Sequence, residues 1–568
     1  MNYFMNMKFM YAALLSCIIF TSCEDDYLDI TPTDRVSDAA ILADSTLFEA
    51  YVINRYLGVR LTNKEGDGSV PGFGRSFEYA LWSSLTDESV YNNDDNTWVI
   101  QQGQLSPENL GIAGTFWGRS YRSIREVNYA LANLDQVEMS ESHKARIEAE
   151  LHFIRAYRYH DLIRNYGRVV LVGDNVSQLG EDFTDPALFE KSAIQEGIAY
   201  AVSELDRAIT GLPEQNSANW LLGRATKGAA MALKSRLLLY GASPLYTGGS
   251  SDTQKWQAAA AAAQEVMDLD MYQLYEDYGD LFLSTGSNSE IIFARYYNLN
   301  QLHTHLEIAN GPNGYGGWGG NVPLQNLVDD YEMVDGDEFD WDNAEHAAQP
   351  YENRDPRFYE TILYDGAQYR GRAVETFVGA EGVTGGLDSP DGPSNWNTSK
   401  SGYYLKKFID EQLPIQNPWG AAGLQNWIYL RYGEILLNYA EAQNEAVGPD
   451  QSVYEAVNTI RQRAQMPPLQ TGLSQDAMRE AIRHERRIEL AFEEHRYYDV
   501  RRWLIADEVE NEPAQGITIT KNQDGTLSYE IKTALDGKSF SEQHYWLPIP
   551  RSEILASDNN LEQNPGYN

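Results

Sequence analysis

Positive charge is scarce in this sequence of 568 residues. Its 44 Lys and Arg face 83 Asp and Glu, which gives a net charge of −39. Nucleic-acid affinity depends on Lys and Arg that neutralise phosphates and release counterions, so this balance excludes a nucleic-acid-binding protein. An anionic membrane surface also repels such a chain, so any membrane attachment must be covalent or apolar.

Long apolar runs are missing as well. The run at residues 9–20, which follows Lys8, is broken only by Ser16 and falls short of the roughly 20 residues of a membrane-spanning helix. Its length suits a signal peptide. It ends in FTSC, and small residues before Cys23 resemble the lipobox of bacterial lipoproteins, although Phe20 stands where Leu is usual. We therefore predict a lipoprotein signal at residues 1–22; a plain secretory signal is the alternative.

Cysteine is almost absent. The sequence has two, Cys17 within the predicted signal and Cys23 at its boundary. Removal of the signal leaves Cys23 alone, which excludes an intramolecular disulfide in an exported chain. We expect Cys23 to carry lipid, and stable anchoring needs the several acyl chains of a bacterial lipoprotein.

Catalytic, cofactor and metal motifs are also lacking. Residues 314–319 fit G-x-G-x-x-G literally, but no strand precedes them and Pro323 follows in place of a long helix. His484-Glu485 is not part of an H-E-x-x-H motif, and the acidic run at 335–340 has Asp340 where a calcium loop requires glycine. No P-loop or G-x-S-x-G motif occurs. The sequence predicts a protein that is not an enzyme and that needs no cofactor or metal.

What the sequence does contain is helical periodicity. Apolar residues at helical spacing predict helices at 145–165, 192–211, 224–240, 256–269, 429–446, 452–464 and 474–504. Ser452 and Glu455 fit a capping box at one helix start. Paired helices with alanine and aromatic residues at their crossings indicate degenerate tetratricopeptide-like repeats. Strand candidates are few and short, at 169–172, 291–294 and 545–549.

Two long regions interrupt the helices, at about 58–118 and 279–426. Both are rich in Gly, Asn, Asp, Pro and aromatic residues, which predicts loops and short strands. Loops of this length in a folded domain are usually functional or disordered.

Several segments together resemble the SusD/RagB family of surface lipoproteins in the glycan-uptake systems of Bacteroidota. The clearest is ERRIELAFEEHRYYDVRRW at 485–503, whose alternating charges indicate a salt-bridged, half-buried scaffold helix. The others are WLPIPR at 546–551, NPGY at 564–567, IYLRYGEILLNYAEA at 428–442, DPR at 355–357, TDE at 86–88 and the acidic start after Cys23.

The resemblance implies a mostly α fold with few short strands, in which a tetratricopeptide-like platform carries long ligand-binding loops. Residues 23–568 would form one SusD-like domain, with the platform at about 119–278 and 427–505. The implied function is to bind oligosaccharide without cleaving it and to deliver it, as a lid, to a TonB-dependent outer-membrane transporter of the SusC type. The implied location is the cell surface, through a lipid anchor in the outer membrane.

Loop aromatic residues are the candidates for sugar contact, because they cover the C–H-rich faces of a sugar ring while polar groups bind its hydroxyls. In starch-binding members of the family an aromatic arc comes from three regions, and Trp98, Tyr296 and Trp318 fall in the corresponding regions. Trp341 and Trp396 are further candidates in polar loops. Asp67 and Arg372 are the polar candidates. We expect the scaffold tryptophans to be core: Trp82, Trp117, Trp256, Trp427, Trp503 and Trp546.

One alternative function stays open at this stage. Some family members are thought to bind peptide, for which the groove of a helical repeat would serve. The Trp, Asn and Asp content of the loops favours sugar.

Overall fold

The computed structural model describes residues 38–56, 80–94, 96–114, 116–176, 181, 184–298, 306–415 and 423–567. Ten helices of seven residues or more lie in these ranges. They are α1 (Ser45–Asn54), α2 (Phe116–Asn133), α3 (Glu141–Tyr166), α4 (Ile194–Gly211), α5 (Lys227–Ala242), α6 (Thr253–Met267), α7 (Tyr432–Val447), α8 (Gln451–Arg463), α9 (Gln475–Glu489) and α10 (Arg496–Arg502).

The long helices form a series in which each packs on the next. Helix α2 contacts α3, α3 contacts α4, and the order continues through α5 and α6 to α7, which also contacts α8 and α9. Helices α6 and α7 are neighbours in space although the whole second loop region separates them in sequence. That region therefore leaves the helical platform and returns to it at the adjoining position.

Short helices lie mainly in the connections. They are Asp38–Ala43, Trp98–Gln101, Pro244–Thr247, Tyr278–Leu281, Leu306–Asn310, Gln325–Asp330, Ala344–Ala348, Pro356–Thr361, Ala506–Val509 and Arg551–Ala556.

The strands pair in small groups. They are β1 (Ser89–Tyr91), β2 (Ile291–Arg295), β3 (Asn321–Pro323), β4 (Ile362–Leu363), β5 (Gln368–Tyr369), β6 (Arg372–Ala373), β7 (Val378–Gly379), β8 (Tyr404–Leu405), β9 (Trp427–Arg431), β10 (Ala514–Lys521) and β11 (Leu527–Leu535). The antiparallel pairs are β1–β3, β2–β9, β4–β8, β5–β6 and β10–β11, and β7 joins β10 in parallel. The predicted fold class, mostly α with few short strands, is confirmed.

Two large apolar cores, with a third small cluster around Val500, Ala506 and Phe540, support these elements. The larger runs through the helical platform and contains Trp82, Trp117, Trp256 and Trp427, as predicted, and also Trp220. A smaller core lies beneath the loops and is built from β1, β3, β4, β8 and the hairpin β10–β11, with Trp98 and Tyr315 packed against it. The loops therefore stand on a packed base of their own.

The segments that resemble the SusD/RagB family meet in a buried ion-pair network. The Nη1 atom of Arg431 lies 2.6 Å from a carboxylate oxygen of Glu290 and 2.7 Å from one of Glu489. The Nη1 atom of Arg357 lies 3.0 Å from the other oxygen of Glu489. Burial alone would raise the pKa of the Glu489 carboxyl, but the charges of Arg463, Arg431 and Arg357 outweigh it and hold that pKa far below its ordinary value. These segments fix the fold, since their charged groups face each other in the interior.

The segment at 86–88 joins the same interior. Both carboxylate oxygens of Asp87 accept hydrogen bonds from Arg496 at 2.9 Å, and Arg487 also pairs with this carboxylate. The first loop region is thereby tied to α9 and α10. Asp87, in the first loop region, thus neutralises Arg487 and Arg496, which lie 400 and 409 residues later in the sequence.

The helix predicted at 474–504 is wrong in one respect, because α9 and α10 are separate. Between them Phe492 and Glu494 have φ angles of +63° and +71°, in the left-handed region, which ends a helix. The break places Glu493 against Arg431 and Lys407 and allows Glu494 to accept the backbone N–H of Trp82. Tertiary contacts thus override a continuous helical pattern.

Other predicted elements also differ. The helix predicted from 429 begins at Tyr432, since β9 occupies the preceding residues. The strand predicted at 169–172 reduces to one bridge between Val170 and Lys191. The strand at 545–549 is absent, because Leu547 donates its N–H to Asn165 and Ile549 donates to a Gln563 side chain instead of to a neighbouring strand. The hairpin β10–β11 is not among the predicted elements.

Candidate ligand-binding surface

Three separate loop segments meet at Asn92. Its backbone N–H donates to the carbonyl of Gly320 at 2.7 Å. Its side-chain amide donates to the carbonyl of Thr398 at 2.9 Å and accepts the N–H of Lys400 at 3.0 Å. Because Asn92 is buried, these bonds are protected from water and hold the three segments together. Nothing in the sequence distinguishes Asn92 from its neighbour Asn93.

This junction brings together three of the predicted site residues. Trp98 lies six residues beyond Asn92, Trp318 lies two residues before Gly320, and Trp396 lies two residues before Thr398. We call the surface formed by Trp98, Trp318, Trp396 and Lys400 the tryptophan surface.

Hydrogen bonds hold both the backbone and the indole ring of Trp98. It opens a one-turn helix, its backbone N–H donates to Asp94 at 3.0 Å, and its indole N–H donates to the carbonyl of Tyr91 at 3.1 Å. The ring is half-buried, and the ammonium group of Lys400 lies 4.9 Å from the ring centroid. Trp98 thus presents a held aromatic ring with a cation beside it.

Trp318 lies in a glycine-rich loop that folds back on itself. Its N–H donates to the carbonyl of Ile308 at 2.7 Å, and Gly319 donates to Gly311 at 3.0 Å. Gly319 has a φ of +54°, and a Cβ there would lie 2.8 Å from the carbonyl oxygen of Asn397. Glycine is therefore required for the approach of this loop to the segment that carries Trp396.

Trp396 is the most exposed tryptophan in the described residues. Its exposed fraction is 57%, and each of the other described tryptophans is buried or half-buried. Burying such a side chain against a ligand would remove a large apolar area from water, which makes Trp396 a candidate contact residue.

Arg372 lies next to the glycine-rich loop and is already paired. Its Nη1 and Nη2 atoms reach the two oxygens of buried Asp388 at 2.7 and 2.9 Å, and its guanidinium group stacks 3.7 Å from the ring centroid of Tyr315. The Tyr315 hydroxyl donates to the carbonyl of Tyr369 at 2.8 Å. Burial raises the pKa of Tyr315 to about 12, so this hydroxyl stays a donor at neutral pH. Arg372 thus helps to hold the glycine-rich loop in place.

Tyr296 and Trp341 lie elsewhere. Tyr296 faces Gly223, in the turn before α5, and burial raises its pKa to about 12. Trp341 donates its indole N–H to Asp329 at 3.1 Å and packs edge-on against Phe339. The hydrogen bonds that join the three loops around Asn92 include neither residue. Asp67 and Cys23 lie outside the described residues.

The tryptophan surface combines three kinds of chemical group. Aromatic faces, amide groups and a cation lie together, and within the described ranges no cluster of three or more His, Cys, Asp or Glu is placed to hold a metal ion. None of the described helices combines the length and apolar character needed to cross a bilayer.

Comparison with known families identifies the fold. The model of the SusD family matches residues 282–567, and a second family model, described as "Starch-binding associating with outer membrane", matches residues 27–239. The chain belongs to the SusD family, as its sequence motifs predict.

Individual relatives agree with this assignment. SusD-like protein P2 of Formosa agariphila is 28% identical over 491 residues, which cover 80% of this chain and 81% of that protein. A crystal structure of a SusD-like protein from Bacteroides fragilis is 29% identical, with a TM-score of 0.76, and covers 94% of this chain and 100% of its own. A second B. fragilis structure, described as a SusD-like carbohydrate binding protein, is 27% identical with a TM-score of 0.74, covering 92% and 100%.

Proposed function

We propose that this protein is a glycan-binding lipoprotein of the bacterial cell surface that captures oligosaccharide without cleaving it. The observation that carries the proposal is the meeting of the loops of Trp98, Trp318 and Trp396 at the buried Asn92. Segments far apart in sequence are held together by specific hydrogen bonds, and each of them carries a tryptophan.

Sugar is the ligand class that suits this composition. A sugar ring has C–H-rich faces that pack on indole rings, and hydroxyl groups that need donors and acceptors at the rim. The tryptophan surface supplies both. Peptide binding by a helical groove has no comparable support, since the exposed indole of Trp396 lies on the loops and not on the platform helices.

Family relationships support the same class. One matching family model is described as starch-binding and as associating with the outer membrane, and a relative of similar fold is described as carbohydrate-binding. Tyr296 and Trp341 belong to the proposal as outlying contacts for a longer glycan, and Asp67 is kept as a candidate polar contact.

Delivery is the remaining part of the proposal. With lipid on Cys23, the protein is held at the outer membrane, where a TonB-dependent transporter of the SusC type would receive the glycan. The chain acts as a lid on that transporter, and the tryptophan surface faces the transporter lumen. A bound glycan favours closure to the extent that it gains contacts in the closed state.

The test is affinity electrophoresis and calorimetry with a panel of polysaccharides beside a panel of peptides. We expect Trp318→Ala and Trp396→Ala to weaken glycan binding by about 1–3 kcal/mol, the magnitude known for aromatic stacking on nucleobases. Val447→Ala, an exposed position at the end of α7, is the control and should bind normally. Tyr296→Ala and Trp341→Ala show how far the site extends.

Two results would overturn the proposal. One is binding of peptides with no binding of any polysaccharide. The other is full glycan affinity in both Trp318→Ala and Trp396→Ala, provided that their melting temperatures equal that of the unmodified protein.

A further inference from the structure

Lys400, beside Trp98, and Lys532, on β11, are neighbouring cations. The ammonium group of Lys400 lies over the Trp98 ring, and Lys532 projects from β11 into a cavity of about 140 Å³. Within the described residues no Asp or Glu oxygen lies within 4.0 Å of either ammonium group. By contrast Lys406, Lys407 and Lys538 each have such a partner. Lys227 and Lys521 also lack such a partner among the described residues, so Lys400 and Lys532 differ from them in lying close to each other.

Close backbone packing brings the two lysines together. Lys532 lies opposite Gly516 in the β10–β11 register, and a Cβ on Gly516 would lie 2.6 Å from Cα of Ser401. Glycine is thus needed for Ser401 to rest on the hairpin, and the Ile517 N–H donates to the Ser401 carbonyl at 2.7 Å. Lys400, next to Ser401, is thereby held near Lys532.

Two of the acids near this cavity already accept hydrogen bonds. Asp388, which also lines it, receives both Nη atoms of Arg372, and Asp94 accepts the N–H of Trp98. A third, Glu530, lies two residues before Lys532 on the strand; it is exposed and forms no ion pair with another described residue. Burial and then the charge of Lys400 lower the pKa of Lys532.

We propose that the glycan carries acidic groups, uronate carboxylates or sulfate esters, and that one of them binds between Lys400 and Lys532 beside the ring of Trp98. The inference rests on the proposed glycan-binding function and names the substrate class. An anion there gains two charge-assisted contacts and relieves the repulsion between two like charges. The net charge of −39 disfavours a polyanion over the surface as a whole, so an acidic glycan must depend on these local cations, while physiological salt screens the acids more than about 8 Å away.

Matched pairs of polymers isolate the acidic group. Polygalacturonate is compared with its methyl ester, and dextran sulfate with dextran, so that carboxylate and sulfate are tested separately. We expect at least one acidic polymer to bind more tightly than its neutral counterpart, and added salt to reduce this difference.

Charge-removing variants locate the contact. Lys400→Gln and Lys532→Gln should each weaken binding of the acidic polymer by about tenfold, the cost of one hydrogen bond to a charged group, and leave neutral polymers unaffected. Lys521→Gln is the matched control, since Lys521 lies on the same hairpin with its ammonium over Phe377. Circular dichroism melting curves confirm that each variant is folded.

The outcomes separate the two proposals. Equal binding of acidic and neutral polymers, or an equal loss in Lys521→Gln, overturns the acidic-glycan inference. If Trp318→Ala still weakens binding of the polymers, the glycan-binding function stands. Failure of every polymer to bind overturns both.

Discussion

Arg431 and His160 are both buried titratable side chains, but their surroundings favour opposite charge states. Arg431 is surrounded by Glu290, Glu489 and Glu493, so its charge is matched in the interior. His160 is stacked against Tyr157 at 6.1 Å between ring centroids, and neither of its ring nitrogens has a hydrogen-bond partner within the described residues. The first arrangement stabilises a charge, and the second requires a neutral ring.

His160 should make stability depend on pH. Burial first, and then the charges of Arg164 and Arg236, lower the pKa of its imidazole well below the usual value. Below about pH 6.5, His160 binds a proton in the unfolded chain but not in the folded chain. The free energy of unfolding therefore falls by about 1.4 kcal/mol per pH unit as the pH drops. In His160→Phe, thermal denaturation should show a smaller loss of stability between pH 7 and pH 5. Parallel pH profiles for the two proteins would contradict this.

At the scale of single elements, the start of α8 shows where local signals succeed and fail. The helix begins where its pattern predicts, but its cap is Asp450 and not Ser452. One oxygen of Asp450 accepts the N–H groups of Ser452 at 2.9 Å and Val453 at 3.2 Å. Glu455, the expected partner of a capping box, instead contacts Gln451 one turn earlier on the exposed face.

The two capping assignments predict that different substitutions lower the free energy of unfolding. Asp450→Ala should lower the free energy of unfolding by about 1 kcal/mol, because two N–H groups at the helix start lose their acceptor. Glu455→Ala should change it by less than about 0.5 kcal/mol, as expected for an exposed side chain away from a cap. Urea denaturation of both variants measures the difference. A larger effect for Glu455→Ala would restore the capping box.

At the scale of the whole molecule, the proposed function depends on attachment to the membrane and on a partner. A net charge of −39 gives no affinity for an anionic bilayer, so a lipid on Cys23 is the proposed means of attachment. A glycan binder held at the membrane is useful when its ligand passes to a transporter.

Lipid attachment predicts a difference between the two cysteines. Cys23→Ala should abolish incorporation of labelled fatty acid and leave the precursor unprocessed or the protein released. Cys17→Ala, within the predicted signal, is the control and should be labelled normally. Normal surface display of Cys23→Ala would exclude the anchor.

The transporter should be recoverable with the protein. A permanent complex of this kind is expected to bury about 2,000–5,000 Å². After mild detergent extraction, pull-down through a C-terminal tag should therefore recover a membrane protein in fixed stoichiometry. If the chain is recovered alone with glycan present, the lid proposal fails and a free-standing glycan binder remains.

The sequence alone determined the platform helices and the family. Helical periodicity is a local property, so α3 to α8 lie at their predicted positions with ends moved by four residues or fewer. The charged motif at 485–503 is likewise visible as a pattern, and its structural role follows because its acids have buried arginines to pair with. The sequence also singled out Trp98, Trp318 and Trp396 as aromatic residues in polar loops.

The tertiary structure decided which of the candidates stand together. Sequence gives no measure of the distance between residues 98, 318 and 396, and their proximity depends on the hydrogen bonds of Asn92. The break between α9 and α10 depends on Arg431 and Lys407, which lie on other segments. The nearness of Lys400 to Lys532 depends on Gly516 in the hairpin β10–β11, and local patterns did not predict this hairpin. The physical reason is the same in each case: contacts between residues far apart in sequence set these features, and local periodicity carries no information about them.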